Sequence, residues 1–205
     1  MGLLAESESM SQVQDEFRRI PFFLIIDLEA TCCNQKTVPR LEMEIIEIGA
    51  VIVAQESLSV VDEFQTFIRP VRHPQLTPFC TELTSIRQSD LTDSPRYSEA
   101  LSLLQRWLTP FDQYLFCSWG DYDKSQFEQD CRFHQIAYPF RSGHLNLKKQ
   151  FSKSQGLTKK YGMAGALKLA NITLEGTHHR GIDDARNMAK LMPYIVGIEK
   201  VASVK

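Results

Sequence analysis

A mixed α/β sheet flanked by helices is the fold class this chain predicts, on two observations. Short apolar, β-branched segments dominate its first part, and helical periodicities alternate with a further strand behind them. Its 205 residues suit one domain with an ordinary core.

Residues 1–20 are polar, rich in Ser, Glu and Gln, and without a sustained period, which predicts a flexible N-terminal segment before a domain over residues 21–200. FFLIID, residues 22–27, is aromatic and β-branched, as a strand buried on both faces requires. EIIEIGAVIVA (44–54) and VDEFQTFIRP (61–70) read as an antiparallel hairpin that Pro70 ends. A loop-rich stretch with Pro74, Pro78 and Pro95 follows. In YSEALSLLQRWL, Leu101, Leu104, Trp107 and Leu108 recur at helical spacing, and YLFCSW (114–119) reads as another buried strand. DYDKSQFEQDCRFH carries Phe127, Cys131 and His134 at helical spacing, with Asp121 or Asp123 at its start. GMAGALKLANI and DDARNMAKLMPYIVGI complete the helices. The second of these has Ile182, Ala185, Ala189 and Met192 on one side and Pro193 as a kink.

An apolar fraction of 43% and a charged fraction of 23% argue against disorder and against a fibrous repeat. The formal net charge of -2 removes the simplest sign of a nucleic-acid binder without excluding one, since bound cations can meet phosphate in place of lysines. Five cysteines, an odd number without C-x-x-C spacing, read as reduced thiols. No apolar run suggests a membrane span, the first residues lack a secretory pattern, and Glu6 spoils a myristoylation motif at Gly2. A cytoplasmic protein without membrane contact is expected.

Chemistry concentrates in three segments. Asp27-Leu28-Glu29 closes the first strand, and strand alternation points both carboxylates to one face, about 7 Å apart along the strand. Such oxygen ligands suit a hard cation. Asp123 follows the YLFCSW strand across a turn at Gly120, where a strand's carboxyl end meets a helix start. Asp121 shares that position, and either residue could instead serve the helix N-terminus. In HHRGIDDARN, His179 and Asp184 cannot share a helical face, which places His179 on the loop before the helix, with Gly181 allowing the turn. His178 and Asp183 have the same spacing, and the pattern alone does not choose between the pairs. A zinc site from His178, His179, Cys32 and Cys33 fits no usual ligand spacing.

D-x-E, Tyr122-Asp123 and H-x-G-x-D-D-A-x-N, in this order, resemble the three motifs of the DEDDh exonuclease superfamily, which includes RNase T and the proofreading subunit of bacterial replicative polymerase. The stretches FFLIIDLEATC, TPFCTELTSIRQSDL and SWGDYDKSQF look most like Eri-type exoribonucleases, which trim small RNAs, histone messenger stem-loops and ribosomal RNA ends. The resemblance implies a ribonuclease H-like fold and selects His179 as general base. It implies Asp27, Glu29, Asp123 and Asp184 as ligands of two Mg²⁺ or Mn²⁺ ions. Aromatics matching Phe79 and Tyr122 would flank the terminal base. The expected substrate is the 3′ end of single-stranded RNA or DNA, RNA before DNA, cut to nucleoside 5′-monophosphates. At this length the chain resembles a bare catalytic core, with no room for the SAP domain of some Eri-type members. A DNA proofreading or repair exonuclease and a catalytically idle binding module are the rival readings.

Overall fold

The computed structural model describes residue 17 and residues 20–202. The expected N-terminal lead-in over residues 1–20 otherwise lies outside the described residues. Phe17, within it, is buried and meets Phe23 edge-on at 5.7 Å, so the core recruits chain from before Pro21.

Five strands form one sheet: β1 (Phe22–Ala30), β2 (Ile45–Ala54), β3 (Val60–Phe67), β4 (Tyr114–Ser118) and β5 (His144–Asn146), in the order β3-β2-β1-β4-β5. The first three are an antiparallel meander, while β4 runs parallel to β1 and β5 parallel to β4. β1 is therefore central, which is why six of its nine residues are both apolar and buried. Its pairing with β2 sets Asp27 opposite Gly49 and Glu29 opposite Glu47. The three-residue β5 was not anticipated, because so short a strand shows no period.

The helices are α1 (Pro78–Thr84), α2 (Gln88–Thr92), α3 (Tyr97–Trp107), α4 (Tyr122–His134), α5 (Leu147–Ser154), α6 (Met163–Leu169), α7 (Gly181–Lys190) and α8 (Met192–Ile195). The stretch expected as loop thus holds α1 and α2. Pro78 opens α1 instead of breaking it, and the Thr77 hydroxyl caps it by accepting the Cys80 amide at 3.0 Å. α5, also unanticipated, is capped by Asn146, whose side chain accepts the Lys149 amide at 3.0 Å. Pro193 lies in the first turn of α8, so the expected kink is a break between two helices.

Strand alternation divides the core. Phe23, Ile25, Val51 and Val53 pack against Phe151, Leu167 and Met188 of the later helices. Leu24, Ile26, Ile48 and Ile52 pack against Leu101, Leu104 and Phe127 of α3 and α4. Each such side chain contributes about 1.5–3 kcal/mol by leaving water. Asp27 and Glu29 share parity with Phe23 and Ile25, so where the apolar run ends they emerge on the α7 side of the sheet. No helix among the described residues is long and apolar enough to cross a membrane.

Candidate active site

At the carboxyl end of β1 a cleft of about 360 Å³ opens, with Asp27, Glu29, Asp123 and Asp184 among its lining. Three separate stretches of chain deliver these carboxylates: β1, the first turn of α4 and the start of α7. Carboxylate oxygens of Asp27, Glu29 and Asp184 lie within 4.8 Å of one another. Asp123, only 4% exposed, is held beside β1 because its Oδ1 accepts the Leu28 amide at 3.1 Å. Asp121 points elsewhere, paired with Lys149 at 2.8 Å. α4 is itself anchored to the chain entering β2, since Asp130 accepts the Ile45 amide at 2.7 Å and Gln126 donates to the Met43 carbonyl at 2.8 Å.

Crowding of like charge away from water shows in the titration of the group. Burial first, and then the charge of Asp123, Glu29 and Asp184, hold the Asp27 carboxyl well above the usual range. Burial and the nearby Asp184 push Glu29 up to about 8. Asp123 is raised to about 6 by burial, against the opposing pull of its hydrogen bonds. Among the described residues no Lys or Arg forms an ion pair with any of the four. A set of hard oxygen donors that repel one another and lack a cation fits a divalent metal ion.

Both histidines border the cleft, with their rings stacked at a centroid distance of 4.1 Å. His178 Nδ1 lies 3.1 and 3.0 Å from the two Asp184 oxygens, whereas His179 meets Asp184 through its backbone amide at 3.0 Å. His179 has φ of 64°, so the tight turn occurs at the histidine, and the expected turn at Gly181 is corrected. Gly181 is required for a different reason: a Cβ there would stand 2.9 Å from the Asp27 carbonyl and 3.0 Å from the Gly49 nitrogen. A Cβ on Gly49 would strike the Gly181 backbone in turn. Burial, then the adjacent His178, lowers the His179 pKa. Asp183 faces away, accepting the Thr177 amide at 2.9 Å and Arg186 at 3.1 Å, which separates it from the carboxylate cluster.

Two residues that belong to none of the three motifs brace this geometry. Glu47, fully buried, accepts the Gly181 amide at 3.1 Å and Arg180 Nε at 3.2 Å, joining β2 to the start of α7. Asn187 exchanges hydrogen bonds with both backbone groups of Glu175 at 2.8 and 3.1 Å and thereby ties down the histidine loop. The available signal was a buried-strand pattern, EIIEIG, interrupted by a charge.

The apolar wall consists of Leu28, Met43, Leu83, Trp119, Tyr122 and Met163. Tyr122 stands at the lip with the Arg40 guanidinium 4.6 Å from its ring centre. Phe79 is half-buried and outside this wall; α1 reaches the cleft through Leu83, one turn further on. Cys32 borders the cleft, but Cys33 turns to Val38, and among the described residues no metal-like cluster joins a cysteine to a histidine.

Fold and cleft together define a ribonuclease H-like exonuclease domain. Residues 24–192 match the RNase_T family model, described as Exonuclease, and the chain belongs to that family. ERI1 exoribonuclease 3 of Mus musculus is 33% identical over 185 residues, which cover 85% of this chain and 53% of the mouse protein, so the chain spans about half the length of such relatives. A solved structure of 3′-end specific recognition of histone mRNA stem-loop by 3′-exonuclease superposes with a TM-score of 0.80 at 25% identity, over 87% of this chain and 64% of that one. The nuclease domain of 3′hExo, a DEDDh family member, bound to rAMP, gives 0.76 at 25% identity, over 85% and 90%. DEDDh exonucleases work with divalent metal ions, in keeping with the donor set found here.

Proposed function

We propose that the chain is a 3′-to-5′ exonuclease that hydrolyses single-stranded RNA in preference to DNA and releases nucleoside 5′-monophosphates. One observation carries the reading: carboxylates from three distant segments converge beside a histidine loop at the end of an apolar-walled cleft. Asp27, Glu29, Asp123 and Asp184 would hold two ions, Mg²⁺ or Mn²⁺. When bound, they supply electrostatic stabilisation of the charge that builds on the scissile phosphate. His179, with its pKa lowered by burial, is neutral near pH 7 and can accept the proton of the attacking water. Tyr122 offers a face to the terminal base from the lip of the cleft, with Leu83 on the wall nearby.

The preference for RNA is supported by the exoribonuclease relatives and by the rAMP held in the 3′hExo nuclease domain. A cytoplasmic setting belongs to the same proposal, supported by the odd, unspaced set of five cysteines. Digestion of 5′-labelled RNA and DNA, single-stranded and duplex, with Mg²⁺, Mn²⁺ or EDTA tests activity, polarity and sugar preference together. A ladder shortening from the 3′ end, faster on RNA and silent in EDTA, is expected. Faster cutting of DNA would favour the proofreading or repair reading, and silence on every substrate would favour the idle binding module.

A further inference from the structure

Residues 131–174 contain eight Lys and Arg and not one Asp or Glu, in a chain whose net charge is -2. The fold lays the middle of this segment beside the cleft. Lys148 comes first: its ammonium is 4.0 Å from where a Cβ on Gly120, in the turn just before Asp123, would be. The Ser152 hydroxyl is 3.2 Å from the carbonyl oxygens of both Lys148 and Lys159, so the turn after α5 folds back alongside Lys148. The chain then returns to the cleft. Trp119 donates its indole N–H to the Tyr161 carbonyl at 3.1 Å, and Gly162 and Met163 line the cavity.

Lys153, Lys159 and Lys160 are exposed, and Lys159 Nζ stands 5.0 Å from the centre of the Tyr161 ring. Among the described residues, the lysines that form ion pairs are Lys124, Lys149 and Lys190. Among the described residues Lys148, Lys153, Lys159 and Lys160 therefore form no ion pair, unlike an ordinary surface, where the two signs alternate. Positive charge on the segment that runs up to the cleft at Gly162 and Met163 matches the charge of a polyphosphate backbone.

We infer that Lys148, Lys153, Lys159 and Lys160 form a track for the phosphates of the single strand leading into the cleft. The inference rests on the exonuclease reading, because the strand it carries is the one whose 3′ end that cleft would take. Its effect is to make affinity rise with substrate length, while the terminal nucleotide is gripped by the cleft alone.

Two separate measurements keep the track and the exonuclease reading apart. Binding of labelled single-stranded RNA is followed in EDTA, where no hydrolysis occurs, for a dinucleotide and for a strand of about 15 nucleotides. The variant Lys153→Glu/Lys159→Glu/Lys160→Glu should lose affinity for the long strand by about tenfold or more, with the salt slope reduced by about 0.7 for each phosphate contact removed. Dinucleotide binding should stay as in the parent. Gln in place of Glu at the three positions should give a smaller loss in the same direction, and Arg106→Glu, a charge reversal on α3 across the sheet, should give none. Unchanged length dependence in both triple variants, or an equal loss in Arg106→Glu, overturns the track. Parent hydrolysis, assayed separately with Mn²⁺, reports on the exonuclease reading by itself.

Discussion

The Glu47 carboxylate and the Gly181 amide, 134 residues apart in the chain, meet at 3.1 Å in the interior. That bond and the Arg180 pair beside it fix where α7 begins relative to β1 and β2, and hence where Asp184 stands relative to Asp27. Glu47→Ala leaves a buried amide and a guanidinium without their acceptor. Stability should fall by about 3 kcal/mol, read from urea unfolding, with metal affinity falling too. A variant as stable as the parent would show that the Gly49–Gly181 contact alone seats the helix.

Asp27→Asn and Asp184→Asn each remove one negative charge from the crowded cluster. Hydrolysis should vanish while the metal-free fold melts at the parental temperature or above it, since repulsion is relieved. Added Mn²⁺ should raise the melting temperature of the parent and scarcely move that of the variants. Retained activity in either variant would remove that residue from the metal site.

Glu29, raised to about 8, and Asp123, raised to about 6, keep protons in the metal-free folded state that the unfolded chain has already lost. Stability is then greatest below the carboxylates' unfolded pKa values and declines as pH rises toward 8. In EDTA, unfolding free energy should be larger at pH 6 than at pH 8, and Glu29→Gln should flatten that difference. An identical pH dependence in parent and variant would sink the assignment of the linkage to Glu29.

The two histidines divide cleanly by experiment. His179→Ala should lower turnover by about 10² to 10⁴, with little change in metal binding. His178 occupies both Asp184 oxygens in the absence of metal, so His178→Ala should leave turnover nearly intact and tighten Mn²⁺ binding, as measured by calorimetry. Activity in the parent should climb as the His179 imidazole loses its proton, and because burial lowers its pKa, the climb begins on the acid side of 6.5. A crippled His178→Ala variant beside an active His179→Ala would reverse the roles.

Tyr122→Ala should weaken binding of a single-stranded 3′ end by about 1–3 kcal/mol if its ring stacks on the base. Leu83→Ala should also weaken it, whereas Phe79→Ala should cost stability more than affinity, because Phe79 is not part of the cleft wall. Fluorescence titration alongside thermal melting separates these effects. Loss of affinity only in Phe79→Ala would mean that α1 turns when substrate binds.

The sheet and its principal helices were legible because their signals are local: FFLIID and YLFCS are continuous apolar runs, and α3 has clear helical spacing. α1 was hidden by proline, since Pro78 at a helix start and Pro74 in a loop look alike without coordinates, and α2, at five residues, is too short to show a period. The carboxylates could be found because they punctuate strand and helix ends. Glu47 could not, because its role depends on a partner in another part of the chain, and the true reason for Gly181 lay in Gly49, equally far away. Phe79 and Leu83 lie one turn apart on the same face of α1, and it is Leu83 that borders the cleft, because position along the helix axis, which a motif match does not show, decides which of the two stands beside it.

The reciprocal contact of Gly49 and Gly181 also limits how this domain can change. A misfit between two side chains can be relieved by trimming either one, so second-site suppressors are common in ordinary cores. Here each position meets the other's main chain, and no substitution shortens a backbone. Suppressor screens starting from Gly49→Ala should therefore return true revertants at that codon rather than compensating changes at position 181.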